Sequence, residues 1–449
     1  MFVLLLAACG AAPKTTPLRT VKAQAGQALL TVYLSSSGTA EVAGQIKIDE
    51  LAIEADGAWL GLGLQAEGID YRQLKGQQQL LGAALAPLGE HRRLRLKVSG
   101  LPGSDESQQF ILTLPEPLEL RAGDSKCLFV DWQLVDENPG SKILVSRFVA
   151  WGQGQPLGGE LLYVACKELE TLYIVRMDIN EVVASFGVPG PLAEIRLHQR
   201  RLYILSSGKR AIFVYDCLNG RLVDQISLPG AVAPQHMALS TDGVFAFVSD
   251  AASGEVLKVD LVGGALVSRV LVGHKPQRLI YYVDGLQALA VVSPNTQQVF
   301  VLDASSLQIQ RRIPVGMRPV SLMFFNRSLY VAEQGTQSVA VFDPRSGKQQ
   351  LRFTVGFQPE YLQAIDQHNA YVSNSGEASL SALHAGQNVA IRRIPAGPEP
   401  MEWVHSQRKH LLYVANSSSH QLTVVDRISE KNIKSIPLGG APTSLAVLE

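Results

Sequence analysis

The chain carries no excess charge of either sign: 40 lysines and arginines balance 40 aspartates and glutamates over 449 residues. Without a basic run there is no electrostatic footprint for nucleic acid, whose binding rests on neutralising phosphates. Cysteine is scarce, with only Cys9, Cys127, Cys166 and Cys217 present. No Cys-x-x-Cys-His haem-attachment site and no paired Cys-x-x-Cys knuckle occurs, which excludes c-type cytochrome and zinc-ribbon readings. Cys127, Cys166 and Cys217 are therefore expected to be buried free thiols. No apolar run approaches the ~20 residues of a membrane-spanning helix. A Gly-x-Ser-x-Gly elbow, a Walker loop and a His-Glu-x-x-His helix are missing as well. No catalytic residue, no metal site and no cofactor are expected.

What is present is apolar and repetitive. Hydrophobic residues make up 46% of the chain and charged ones 18%, the balance of a well-buried protein with more than one folded unit. One phrase restarts at Tyr163-Val164, Tyr203-Ile204, Phe247-Val248, Val291-Val292, Tyr330-Val331, Tyr371-Val372 and Tyr413-Val414, at intervals of 39 to 44 residues. That period is too long for ankyrin or leucine-rich repeats and falls in the range of four-stranded propeller blades. The last copy shows the unit: apolar runs over residues 411–416, 421–426, 433–438 and 443–448, separated by Ser, Asn, Gly and Pro. Each run has the length of one strand.

A Gly-x-x-Pro element recurs at Gly273/Pro276, Gly316/Pro319, Gly356/Pro359, Gly397/Pro400 and Gly439/Pro442, with a looser Gly230/Pro234. Glycine permits an unusual turn and proline stiffens entry into the next strand, so the element marks the crossing between sheets. Asp242-Gly243 and Asp284-Gly285 sit between two apolar runs, where Asp-Gly signals a hairpin. The array opens on a second-type strand near Leu161 and ends on a first-type strand after Pro442. The phase predicts a ring of seven closed by the C-terminal strand, which leaves no open edge at the seam.

Leu412-Tyr413-Val414-Ala415-Asn416 and Val424-Val425-Asp426 resemble the Leu-Tyr-Val-Thr-Asn and Val-Ile-Asp strands of the YVTN family of β-propellers. The resemblance covers residues 161–449. Single copies depart from the pattern, with Val291 in place of the tyrosine and His384 in place of the aspartate.

Residues 28–151 read as short strands between turn clusters, with 71–81 as a short helix or irregular connection. That pattern predicts an antiparallel β-sandwich. Ile46-Lys47-Ile48-Asp49-Glu50-Leu51, Tyr71 with Leu80-Leu81-Gly82, and residues 89–96 with Leu114-Pro115 resemble a bacterial lipoprotein domain with a prealbumin-like sandwich. Residues 152–160, rich in glycine, read as a linker. At the N-terminus an apolar stretch leads into Leu6-Ala7-Ala8-Cys9, which resembles a lipobox and implies acylation of Cys9. Residues 1–27 are then a signal and tether, and the expected location is the bacterial cell envelope, on the periplasmic side of the outer membrane or at the cell surface. The expected fold class is all-β: an N-terminal antiparallel sandwich followed by a seven-bladed propeller closed by the C-terminal strand.

Positions two residues past each crossing proline, or its equivalent, converge on the mouth of the ring: Glu194, His236, Arg278, Ser321, Tyr361, Glu402 and Ser444. Such a set suits a polar ligand. The expected function is that of a monomeric, lipid-anchored binding or scaffold protein presenting the propeller to a protein or polysaccharide. The alternative is a propeller hydrolase or lyase, lactonase-like, with a polar or metal site at the mouth. A third is docking of a redox partner, as related propellers do in amine dehydrogenases.

Overall fold

The computed structural model describes residues 27–37, 44–102, 104, 106–136, 144–154, 158–217, 219–384 and 389–449. Residues 1–26 of the expected signal and tether, Cys9 among them, and residues 155–157 of the expected linker lie outside these. The described residues are all-β, with one 3-10 turn at Tyr71–Leu74 and no α-helix. No helix among them is long and apolar enough to cross a membrane.

In the smaller, N-terminal half of the fold the described residues form two sheets. One orders its strands Gln79–Ala86, Ala28–Ser35, Ser125–Asp136, Leu144–Gly152; the other Ala58–Gly61, Gln45–Ala55, Gly89–Ser99, Gln108–Leu120, with Ala66–Asp70 also on Gln45–Ala55. Leu30, Val32 and Trp132 of the first share a core with Ile48, Leu51, Leu94 and Leu96 of the second. The structure corrects the expectation of a purely antiparallel arrangement, because Ala28–Ser35 and Ser125–Asp136 pair in parallel. Both central strands are buried, the setting in which parallel pairing is found. Residues 71–81 divide into the 3-10 turn and the start of Gln79–Ala86, a strand whose Leu- and Ala-rich run carries little β-propensity. Gln108–Leu120 accommodates Pro115 and Pro117 because it lies at a sheet edge and its register with Gly89–Ser99 shifts there, from Thr113 opposite Arg93 to Leu118 opposite His91, leaving residues 114–117 without ladder partners.

From Leu161 onward the described residues form seven four-stranded antiparallel sheets. Sheet 2 is typical, with consecutive strands Leu192–His198, Arg201–Ser206, Ala211–Asp216 and Leu222–Ser227. Sheets 3 to 7 repeat this order and begin at Pro234–Leu239, Leu279–Val283, Pro319–Phe325, Pro359–Ala364 and Pro400–His405. Sheet 1 is composite: its outer strands Glu181–Gly187, Thr171–Arg176 and Leu161–Cys166 are completed by Pro442–Leu448. That last pair runs antiparallel in register from Leu161 opposite Leu448 to Cys166 opposite Pro442.

The turn chemistry explains the regularity. In all seven sheets the residue before the third strand takes a positive φ, at Glu170, Arg210, Gly254, Gln297, Gln337, Ala378 and His420, a shape that reverses the chain in a few residues. Gly243 and Gly285 take the same shape in the first hairpins of sheets 3 and 4. At four crossings the residue before proline, Lys275, Arg318, Gln358 or Glu399, has φ between 47° and 53°. A side chain there costs about 1 kcal/mol, which the surrounding packing must offset.

Apolar cores lie between sheets. Tyr163 and Ile174 of sheet 1 pack with Ile204 and Phe213 of sheet 2, and Tyr371 and Leu380 of sheet 6 with Trp403 and Leu412 of sheet 7. Tyr413 and Val424 of sheet 7 return to Val164 and Tyr173 of sheet 1, so the series closes on itself. Leu29, Tyr33, Cys127 and Phe129 of the N-terminal half join this last core. Cys127, Cys166 and Cys217 are free and buried.

Two glutamines fasten the halves together. Gln78 Nε2 donates to Val182 O and Gln78 Oε1 accepts from Val182 N, both at 3.0 Å. Gln153 does the same with Ser185, donating to its O at 2.9 Å and accepting from its N at 3.0 Å. A primary amide thus takes the place of a neighbouring strand along the outer edge of sheet 1, the open edge that sheets otherwise present to other chains. The approach is close: a Cβ at Gly187 would lie 2.1 Å from Gly123 O.

Candidate functional site

The innermost strand of each sheet enters from its crossing and turns one sheet edge toward the centre. An edge N–H that meets no strand must find another acceptor. Four of the candidate side chains supply one to the next sheet around the series. Ser444 Oγ of sheet 1 accepts from Ile195 N of sheet 2 at 3.2 Å. Glu194 of sheet 2 accepts from Met237 N of sheet 3. Ser321 Oγ of sheet 5 accepts from Leu362 N of sheet 6 at 3.2 Å. Glu402 of sheet 7 accepts from Leu445 N of sheet 1 at 3.4 Å. In every case the acceptor is the candidate position and the donor is the residue one further along the neighbouring strand.

The two carboxylates also form a buried ionic cluster. Glu194 and Glu402 have side chains 2% exposed. Arg278 Nη1 reaches Glu194 Oε1 at 3.3 Å and Glu402 Oε2 at 3.4 Å. Arg196 pairs with Glu194 and with Glu402 Oε1, the latter at 3.2 Å. Ser444 Oγ donates to Glu402 Oε1 at 3.2 Å. The Arg278 guanidinium lies 4.4 Å from the centroid of the Tyr361 ring, a cation–π contact strengthened by burial. His236 Nδ1 stands 3.6 Å from Glu194 Oε2, beyond hydrogen-bond reach, and is buried without a partner.

Electrostatics favour the ionised forms. Burial alone would raise the Glu194 carboxyl, but Arg196, His236 and Arg278 outweigh it and hold the group well below the usual carboxylate range. Burial would pull Arg278 down, whereas Glu402 and Glu194 raise it. Burial pushes the Tyr361 phenol well up, with Glu402 adding to it. Two carboxylates and two guanidiniums therefore face one another, and the Glu194 carboxyl is held in its ionised form near neutral pH.

Six of the seven candidates, Glu194, His236, Arg278, Tyr361, Glu402 and Ser444, lie in this connected cluster. Ser321 makes its inter-sheet bond outside it. Arg196 joins the cluster from outside the repeat-equivalent positions. Its signal was present, since alternation places a residue two after Glu194 on the same side of the strand. The cluster forms one end of a cavity of about 670 Å³ lined by Arg196, Arg278, Tyr361 and Glu402 and by apolar residues such as Leu239, Met323 and Val404. Among the described residues no group of three or more His, Cys, Asp or Glu is placed to hold a metal ion.

No family model matches the chain, and no curated protein matches its sequence. Solved structures do resemble its fold. A functionally unknown protein from Desulfotomaculum acetoxidans aligns over 64% of this chain and 99% of its own, at 12% identity and a TM-score of 0.58. Hydrazine synthase from Kuenenia stuttgartiensis aligns over 57% of this chain and 95% of its own, at 16% identity and a TM-score of 0.50. U3-55K aligns over 57% and 85%, at 14% identity and a TM-score of 0.50. At these identities the likeness concerns the fold alone.

Proposed function

We propose that residues 161–449 form a seven-bladed β-propeller of the YVTN type and that residues 28–151 form a prealbumin-like sandwich beside it. The whole acts as a non-enzymatic binding platform, held in the bacterial envelope through an acylated Cys9. The observation that carries the binding reading is the engagement of Glu194 and Glu402. Each is occupied by two guanidiniums and a backbone N–H of the next sheet, so the charged groups at the mouth serve as a keystone and recognition falls to the surrounding surfaces. His236, whose Nδ1 has no hydrogen-bond partner, is the mouth position left for a small polar ligand.

Affinity capture tests this reading. The chain starting at residue 26, immobilised and exposed to envelope extract, is expected to retain a defined protein or glycan saturably. Retention of nothing above a blank resin would count against it. A Cys9→Ser variant of the full chain is expected to move from the membrane to the soluble fraction. The hydrolase or lyase reading draws on the unpartnered His236 Nδ1 beside Glu194. Turnover of lactone substrates, abolished by His236→Ala, would favour it over the platform.

A further inference from the structure

We propose that the cleft between the two halves of the chain binds a neutral β-1,4-linked polysaccharide against Trp151, an inference that rests on the platform reading and names its partner. The cleft encloses about 1160 Å³ between Phe129, Trp151 and neighbouring residues of the N-terminal half and Arg176, Ile179 and Glu181 of sheet 1. That is enough space for an oligomeric ligand.

Trp151 differs from the other tryptophans. Trp132 and Trp403 are buried, and Trp59 lies beneath the guanidiniums of Arg93 and Arg95. Trp151 is 38% exposed. Its ring stacks on Phe129 with centroids 5.9 Å apart and planes at 25°, and Phe129 stacks on Tyr33 at 5.9 Å and 20°. Tyr33 is buried in the core shared by the halves, so the indole plane is fixed from behind while part of it meets solvent. A rigid, half-open aromatic ring matches the C–H face of a pyranose, which offers apolar contact on the flat of the ring and hydroxyls around its rim.

The remaining lining supplies the rim. Four acidic and four basic side chains face the cleft, among them Glu119, Glu181, Arg121 and Arg221. This balance disfavours a polyanion, which needs a basic excess, and provides in-plane donors and acceptors for hydroxyl groups. The walls are fixed relative to each other by Gln78 and Gln153, so binding pays little ordering cost. A β-1,4-linked chain is an extended ribbon with C–H faces exposed along its length, so it can lay such a face on Trp151 wherever it enters the cleft.

The test titrates the full chain with cellohexaose and chitohexaose, and with polygalacturonate as the charged control, by calorimetry and tryptophan fluorescence. One of the neutral hexasaccharides is expected to bind. Affinity should fall roughly tenfold or more in Trp151→Ala and largely return in Trp151→Phe. Arg221→Ala, at an exposed lining residue, should weaken it by a few-fold with the fold intact, which keeps the test open should Trp151→Ala fail to fold. Binding to polygalacturonate alone, or neutral binding that a folded Trp151→Ala variant retains, would overturn the proposal. Absence of any neutral binding would also overturn it. If an envelope protein is then still captured, the platform reading survives; if nothing is captured, both fall.

Discussion

Replacing Glu402 by glutamine isolates the role of the ionic cluster. Glu402 Oε1 accepts from Arg196, Ser444 and Leu445 N, while Oε2 faces Arg278 alone. In Glu402→Gln the carbonyl oxygen can keep the first three partners, which turns the new NH2 toward the Arg278 guanidinium. The variant therefore loses two charge–charge contacts, with Arg196 and with Arg278, sets donor against donor at Arg278 and leaves an uncompensated cation in a site whose carboxylate was 2% exposed. Breaking a buried pair from one side costs about 3–5 kcal/mol. With glutamine retaining part of the network, about 3 kcal/mol is expected. For a large cooperative unit this corresponds to a fall in melting temperature of roughly 5–10 °C. Calorimetry of Glu402→Gln is compared with Glu399→Gln at the surface, where a change within about 0.5 kcal/mol is expected. Adding Arg278→Met to Glu402→Gln should cost at least ~1 kcal/mol less than the sum of the single changes, because the stranded charge is gone. A Glu402→Gln chain that melts with the wild type, or strictly additive losses, would refute the keystone argument.

Deleting residues 442–449 removes the buried Ser444 and Leu445 and the partner of Leu161–Cys166. The loss should be about 3 kcal/mol or more from apolar burial and the orphaned bonds, read as a lower melting temperature and new self-association; an unchanged melt would sink the closure model. Gly187→Ala drives a Cβ into Gly123 O at 2.1 Å and should cost roughly 1–3 kcal/mol, with faster proteolysis between the halves as the readout. The Glu194 carboxyl titrates lower in the folded chain than in the unfolded one, so its contribution to stability is fully present above the ordinary glutamate range and is lost as pH falls through the folded value. Glu194→Gln should therefore be less stable at neutral pH and show a shallower decline in acid; parallel pH profiles for variant and wild type would contradict this.

The period of the array was legible because each strand carries its own local signal, an apolar run bounded by Gly, Pro or Asp-Gly. The convergence of Glu194, Arg278 and Glu402 was legible too, since equivalent positions in a repeat occupy equivalent places around a centre. What those side chains do once there was not. The bond from Glu402 to Leu445 N spans sheets whose spacing no local pattern encodes. Arg196 was not legible in this way, because it lies two residues beyond the one equivalent position that each copy contributes. Ala28–Ser35 pairs in parallel with a strand almost a hundred residues away, and strand direction leaves no mark on alternation. Gln78 and Gln153 sit in polar stretches that read as connections; only the open edge of sheet 1 gives them work.

The composite build of sheet 1 sets an order of events during synthesis. Sheets 2 to 7 each consist of consecutive strands, so each can zip from neighbouring hairpins as it leaves the ribosome, at little loop-closure cost. Leu161–Cys166 must wait for Pro442–Leu448, and until then one edge of the nascent sheet stands open to pairing with another chain. The N-terminal half has by then been made, and Gln78 and Gln153 can already cover the opposite edge. The early half of the chain thus acts as a built-in escort for the later half, confining the hazard of an unfinished series of sheets to a single strand edge.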